Sequence, residues 1–243
     1  MKRDLTLEKG KPYHIIVRAV EGRTIFPKQE ELNRFLVQMY VANYGTPVHL
    51  TRRDVTQASK ALISGKEIPS FLPAKKDNCL VRIFSFVFVG NHYHLGLVGR
   101  FDNAISQYMQ RLNTGFAKYF NIKHKRTGSL FGTRFGVVAV TNPRQLAALV
   151  DYVNIKNVLD VYRPHWAEAE ILPIKKAMKF LYEYPFSSFA DVFLTRKCHL
   201  VDKDLLQDIS EGSFPVHGTN LLERVEDVIR RRGIALSLPA PLE

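Results

Sequence analysis

The stretch "FVFVGNHYHLGLVG", residues 86–99, sets two histidines, His92 and His94, inside an otherwise apolar run. Gly90-Asn91 is a two-residue turn signal between segments rich in β-branched and aromatic residues, so the stretch reads as a β-hairpin. The outgoing strand, "LVRIFSFVFVG" (80–90), is too continuously apolar to leave a face in water. On the returning strand, "HYHLGLVG" (92–99), alternation puts His92, His94 and Gly96 on one face and Tyr93, Leu95 and Leu97 on the other. The apolar set belongs against covering helices. The histidines are then expected on the open side of the sheet, with Gly96 leaving room beside the imidazoles. Two imidazoles roughly 6–7 Å apart along a strand can converge on one metal ion or one phosphate. Two half-buried histidines with hydrogen-bonded partners would show the same spacing.

Working outward, "YHIIVRAV" (13–20) has the composition of a strand. "PKQEELNRFLVQMYVANYG" (27–45) reads as a helix opened by Pro27 and closed by Gly45, with Leu32, Phe35, Leu36 and Met39 on one stripe. Residues 46–80 hold turn formers around a short helical piece at 54–63 and read as an insertion. "DNAISQYMQRLNTGFAKYFNIK" (102–123) is a helix with Asp102 as its N-cap, followed by the basic, glycine-containing loop "KHKRTGSLFGTRF" (123–135) and a short strand, "GVVAV" (136–140). "TNPRQLAALVDYVNIKNVLDVY" (141–162) is a long helix capped by Thr141 or Asn142, with Pro143 in its first turn. Shorter helical pieces fill 163–243, among them the amphipathic, basic "LLERVEDVIRRRG". The order predicts an α+β fold: a ferredoxin-like antiparallel sheet with helices on one face, the other face open, a tyrosine-bearing helix and a C-terminal helical extension.

The chain has 243 residues, 46% of them hydrophobic, which is enough for a substantial core. No run approaches the ~20 apolar residues of a membrane span, so no membrane partner is expected. The N-terminus lacks the apolar stretch of a secretory signal, and Cys79 and Cys198 make neither a metal spacing nor a disulfide framework. Both fit a reducing cytoplasm. Lys plus Arg is 35 against 23 acidic residues, a formal charge of +12. A polyanion, nucleic acid above all, is the natural partner; a basic protein without a special partner is the plain alternative. Tyr152 and Lys156 lie four apart on the long helix, flanking its apolar stripe of Leu146, Leu149, Val150 and Val153. They can act as a nucleophile beside a phosphate-neutralising cation; an ordinary tyrosine at the core edge fits the same spacing.

Together these motifs resemble the single-tyrosine HUH transposases with an IS200-like domain, and most of all the REP-associated tyrosine transposases. "SFVFVGNHYHLGLVG" (85–99) is similar to their strand–turn–strand with a P-N-H-x-H-L core, with Gly90 in place of the proline. "GSLFGTRF" (128–135) is similar to their G-x-L-W-x-x-R-F element, "LVDYVNIKNVLDVY" (149–162) to their tyrosine helix, and "YPFSSFADV" (184–192) to their Y-P-W-S-S-Y close. The likeness spans about residues 12–195; it implies a transposase domain over 1–195, interrupted by the insertion at 46–80, and a C-terminal extension over 196–243.

The resemblance implies that His92 and His94 bind a divalent cation, Mg²⁺ or Mn²⁺, and that Tyr152 attacks single-stranded DNA at a hairpin end to form a 5′-phosphotyrosine and free a 3′-hydroxyl. It leaves the chain a monomer or a homodimer, at work on nucleoid DNA in a bacterial cytoplasm. One position departs from the family. Four residues after the tyrosine the family usually carries Asn or Gln as third metal ligand; here stands Lys156, whose ammonium has no lone pair. Either two histidines hold the ion with waters and DNA oxygens, or the enzyme is impaired, or, the reading favoured here, Lys156 takes over part of the charge neutralisation. Arg111, Lys118, Lys123, Lys125, Arg126 and Arg134 come after the histidine strand and are expected to contact DNA; a solvated basic face is the alternative. Two other readings compete. A two-histidine phosphoesterase would need "HLT" (49–51) and "HGT" (217–219) on strands, and the second has no strand pattern. A nucleic-acid-binding protein with a lapsed site would explain Lys156.

Overall fold

The computed structural model describes residues 6–45, 50–74, 79–132, 134–168, 172–210 and 220–231. Chain order begins with strand β1 (Pro12–Arg18), helices α1 (Gln29–Tyr44) and α2 (Arg52–Ser64), and the hairpin β2 (Val81–Val89) and β3 (His92–Gly99). Helix α3 (Ala104–Lys123), strand β4 (Gly136–Ala139) and helix α4 (Pro143–Asp151) come next. A π-helical turn (Tyr152–Lys156) leads into α5 (Asn157–Tyr162), then α6 (Ile174–Glu183), α7 (Phe189–Phe193), α8 (Lys203–Ile209) and α9 (Leu221–Arg230). The four strands form one antiparallel sheet in the order β2-β3-β1-β4. This is the ferredoxin-like arrangement expected from the order of elements.

One sheet face is built as alternation requires. Tyr13, Ile15, Val17, Phe86, Phe88, Tyr93, Leu95 and Leu97 are buried in one cluster with the apolar stripes of α1 and α3. Its centre is aromatic: Phe35 of α1 lies 4.6 Å from Tyr93 and 4.9 Å from both Phe88 and Phe116, ring centre to ring centre. The caps differ in places from those read off the sequence. Asn103, in the left-handed region, precedes α3, and the Asp102 carboxylate instead accepts the Lys9 backbone N–H. Thr51 and Asp54 form a reciprocal capping box, so α2 starts two residues earlier than its apolar pattern indicates. Asn142, rather than Thr141, caps α4 by accepting from Gln145 N–H.

The expectation of an open second face is not met. Phe84, Val87 and Val98 are buried there together with Leu149, Val150, Val153 and Ile155 of the tyrosine segment and with apolar residues of α5 to α9. The register of β2 breaks between Ile83 and Ser85, and this bulge turns Phe84 onto that face beside Ser85. Room at Gly96 is therefore taken by Phe84 and not by the imidazoles: a Cβ on Gly96 would stand 2.3 Å from the Phe84 ring. Gly96→Ala should cost about 1–3 kcal/mol through overpacking, read as a lower urea midpoint at unchanged m-value.

Candidate active site

The tyrosine segment is fixed to the sheet by buried polar contacts. Asn154 donates to Ser85 Oγ at 2.9 Å and to the Val150 carbonyl at 3.0 Å, while Ser188 Oγ donates to Asn154 Oδ1 at 2.6 Å. Ser188 is the second serine of "YPFSSF", and its hydroxyl also accepts the Phe86 backbone N–H. These groups are wholly buried, so each needs its partner. Asn154→Ala removes three buried hydrogen bonds, should cost about 1–3 kcal/mol and should loosen the π turn, measurable as faster amide exchange there. The turn itself is closed by Asn157, whose backbone N–H and side-chain amide both donate to the Tyr152 carbonyl. A single wide turn of this kind rotates the succeeding helical residues relative to an unbroken α-helix.

Tyr152 meets two of three clustered imidazoles. Its ring meets His94 edge-on at 5.4 Å and His14 at 5.9 Å between centroids, and His92 lies 5.0 Å from His94. The register sets His14 opposite Gly96, Ile16 opposite His94 and Arg18 opposite His92, so all three histidines share one face. His14 Nε2 and His94 Nδ1 are 2.9 Å apart and hydrogen-bonded. Their other nitrogens, His14 Nδ1 and His94 Nε2, are buried with no partner among the described residues. His92 Nδ1 is 2.7 Å from Asn91 Oδ1. The expected outward stance of the histidines on an open face is not found: His14 and His94 are fully buried and only His92 keeps partial exposure, because the tyrosine segment covers them.

Burial lowers the basicity of all three rings. His14 is pushed down to about 3 by burial. His92 is pushed down to about 4 by burial, aided by the positive charges of Arg18 and Lys156. His94 falls well below its ordinary value for the same reasons, with its two neighbouring histidines adding to the effect. The three imidazoles are thus neutral, with Arg18 and Lys156 as the nearby cations. Lys156 Nζ is 5.5 Å from the centre of the Tyr152 ring and 2.7 Å from Asp160 Oδ2, and Asp160 Oδ1 accepts from Trp166 Nε1 at 2.9 Å. The ammonium is thus anchored from behind by one carboxylate.

A divalent ion finds two donors here, His92 and His94. Both are uncharged, and the buried, unpartnered Nε2 of His94 is an orphan that such an ion would satisfy. Among the described residues no three His, Cys, Asp or Glu side chains are arranged to hold a metal. A resident ion would therefore complete its shell with water and substrate oxygens, as Mg²⁺ and Mn²⁺ commonly do.

The basic residues expected to surround this site divide. Arg111, Lys118 and Lys123 lie on α3 across the sheet, facing α1 and α2. Lys123 is committed to Glu31 at 2.7 Å and Glu30 at 3.0 Å. Arg126 folds back on Asn121 and Ser129, while Lys125 and Arg134 are exposed. For Arg111, Lys118 and Lys123 the separation from the histidines arises because α3 packs on the opposite face. Phe131 and Phe120 are core residues and not free rings. Of the competing phosphoesterase pair, His49 and His217 lie outside the described residues.

Sequence reasoning misses His14 and Arg18. "YHIIVR" alone places them on one face of β1, but only the register with β3 brings that face to His92 and His94. It misses Asp160 too, although a carboxylate four residues after Lys156 is a signal that helical spacing could have used.

No family model matches the chain, and no curated protein does. Among solved structures, a REP-associated tyrosine transposase bound to a REP hairpin is similar, at 14% identity and a TM-score of 0.47 over 79% of this chain and 84% of that one. Identity this low carries no residue roles across. Among the described residues no helix is long and apolar enough to cross a membrane.

Proposed function

We propose that the chain is a nuclease and strand-transfer enzyme of transposase type, acting on single-stranded DNA at hairpin ends with Tyr152 as nucleophile. The observation that carries this is the juxtaposition of a half-buried tyrosine with two neutral imidazoles, 5.4 and 5.9 Å away, and one ammonium 5.5 Å from its ring. A hydroxyl, a phosphate-attracting cation and uncharged nitrogen ligands are the parts a phosphodiester transfer needs.

In this reading Tyr152 Oη attacks a backbone phosphorus. The new Oη–P bond forms as the bond from phosphorus to the 3′ oxygen breaks. The hydroxyl proton passes to the departing 3′ oxygen, leaving a 5′-phosphotyrosine and a 3′-hydroxyl. His92 and His94 would hold a divalent ion, which supplies Lewis-acid polarisation of the phosphate. Lys156 and Arg18 offset phosphate charge. His14 sets the tautomer of His94: when His94 Nδ1 donates to His14 Nε2, the lone pair on His94 Nε2 is left facing the site. His14 is thus a positioning residue.

The test is incubation with hairpin-ended single-stranded DNA and Mn²⁺ or Mg²⁺, followed by denaturing electrophoresis. A covalent protein–DNA adduct that maps to Tyr152 is expected. Tight hairpin binding with no adduct on any foldback substrate would leave a DNA-binding protein on this fold, a reading favoured by the engagement of Lys156 with Asp160.

A further inference from the structure

A cavity of about 670 Å³ lies between α1, α2 and α3, on the sheet face away from the histidines. It exists because α2, part of the insertion, packs on α1 and closes one side. Its floor is aliphatic, with Val37, Val41, Leu50 and Val55 lining it. Its rim is cationic. Lys123 and Arg52 answer Glu30 and Glu31, at 2.7–3.5 Å. Arg34, Arg111 and Lys118 form no ion pair among the described residues.

Arg34 is the telling group. Its Nε is buried with no hydrogen-bond partner among the described residues, and burial pulls its guanidinium below its ordinary basicity. A buried donor left unpaired is costly, and a guanidinium satisfies carboxylate or phosphate through paired donors. Arg111 lies against the bare Cα of Gly45, where a Cβ would stand 2.5 Å from its Nη1. At the edge Ile122 is 70% exposed. Among the described residues the aromatic ring in the wall is Tyr119, which is already approached by Arg34 at 5.3 Å and Lys123 at 5.6 Å. Size, an apolar floor and a guanidinium with a buried, unpaired donor are the properties of a small-molecule site.

We infer that this cavity binds a small anionic amphiphile, a carboxylate or phosphate head on an aliphatic body, with the head on Arg34 and the body over Val37, Val41 and Val55. The sheet separates this site from Tyr152, so it stands or falls apart from the DNA chemistry.

The experiment is isothermal titration calorimetry of the full chain with decanoate, decyl phosphate and decanol, repeated with Arg34→Gln and Val41→Trp. Saturable binding of at least one anion is expected, with decanol at least about tenfold weaker and Arg34→Gln weakening the anion by about tenfold or more. Val41→Trp should abolish binding while keeping the wild-type circular dichroism spectrum. Which of the two anions binds tells carboxylate from phosphate. Absence of a saturable heat from either anion, or decanol binding as tightly as both, overturns the inference without recourse to a variant. Displacement of bound decanoate by a single-stranded oligonucleotide would assign the cavity to nucleic acid and overturn it as well.

Discussion

Tyr152→Phe is expected to eliminate the covalent protein–DNA adduct, with a fall of at least about 10³-fold in strand cleavage, because the attacking oxygen is removed outright. Hairpin binding should persist. Phenylalanine keeps the ring that meets His94 and His14 edge-on, and it keeps a face for Lys156. Binding and chemistry therefore separate in this variant, and a gel-shift beside a denaturing gel reads both. An adduct that survives in Tyr152→Phe would move the nucleophile elsewhere and end the proposed assignment. Lys156→Met should fall between, losing about 10²–10³-fold in cleavage if the ammonium meets developing phosphate charge. It also strands Asp160, so Asp160→Asn is the needed partner: it spares Lys156 and should leave cleavage measurable.

Acid should unfold the metal-free protein unusually steeply. The three histidines are neutral when folded, at values near 3 for His14, near 4 for His92 and well below ordinary for His94. In the unfolded chain each titrates near 6.5. Below that value the unfolded chain binds protons that the folded one refuses. Stability from this source is whole above about pH 6.5. It is lost as pH falls, and the loss for His92 levels off near 4 while that for His14 continues toward 3. Each histidine contributes a slope of about 1.4 kcal/mol per pH unit inside that window. Urea midpoints at pH 7.5, 6.5, 5.5 and 4.5, with chelator present, should drop progressively below 6.5. His14→Gln should flatten the slope by about one histidine's share. A level profile from 6.5 to 4.5 would mean that these rings are not buried neutral.

The hairpin carries much of what is legible in the sequence. The side assignment of Tyr93, Leu95 and Leu97 comes from alternation alone, and the core confirms it. The nearness of Tyr152 and Lys156 comes from helical spacing, and it survives the π turn. The environment of the histidines is not legible. Burial of His94 depends on α4 to α9 covering the second face. Several of these helices carry an apolar stripe, but a stripe does not say which surface it packs against. Phe84 and the bulge are equally hidden, since one slipped residue in an all-apolar strand leaves no mark in the pattern. The basic residues of α3 escape for another reason: they are close to the histidine strand in sequence but not in space, because the sheet lies between them.

Asp151, the residue before the tyrosine, is held at 2.6 Å by Arg224 of α9, and both side chains are largely enclosed. Burial raises the Asp151 carboxyl, and the arginine opposes that. Val225 and Val228 of the same helix are buried in the cluster that includes Leu149 and Val153. The last described helix is thus a brace for the segment that carries Tyr152. A shortened chain that stops near residue 195 would keep every group of the imidazole site, yet it would bare an apolar wall and leave a buried carboxylate without its counterion. Trimming for crystallisation, or swapping this segment among related domains, would for that reason change the aim of Tyr152 before it changed anything the tyrosine touches.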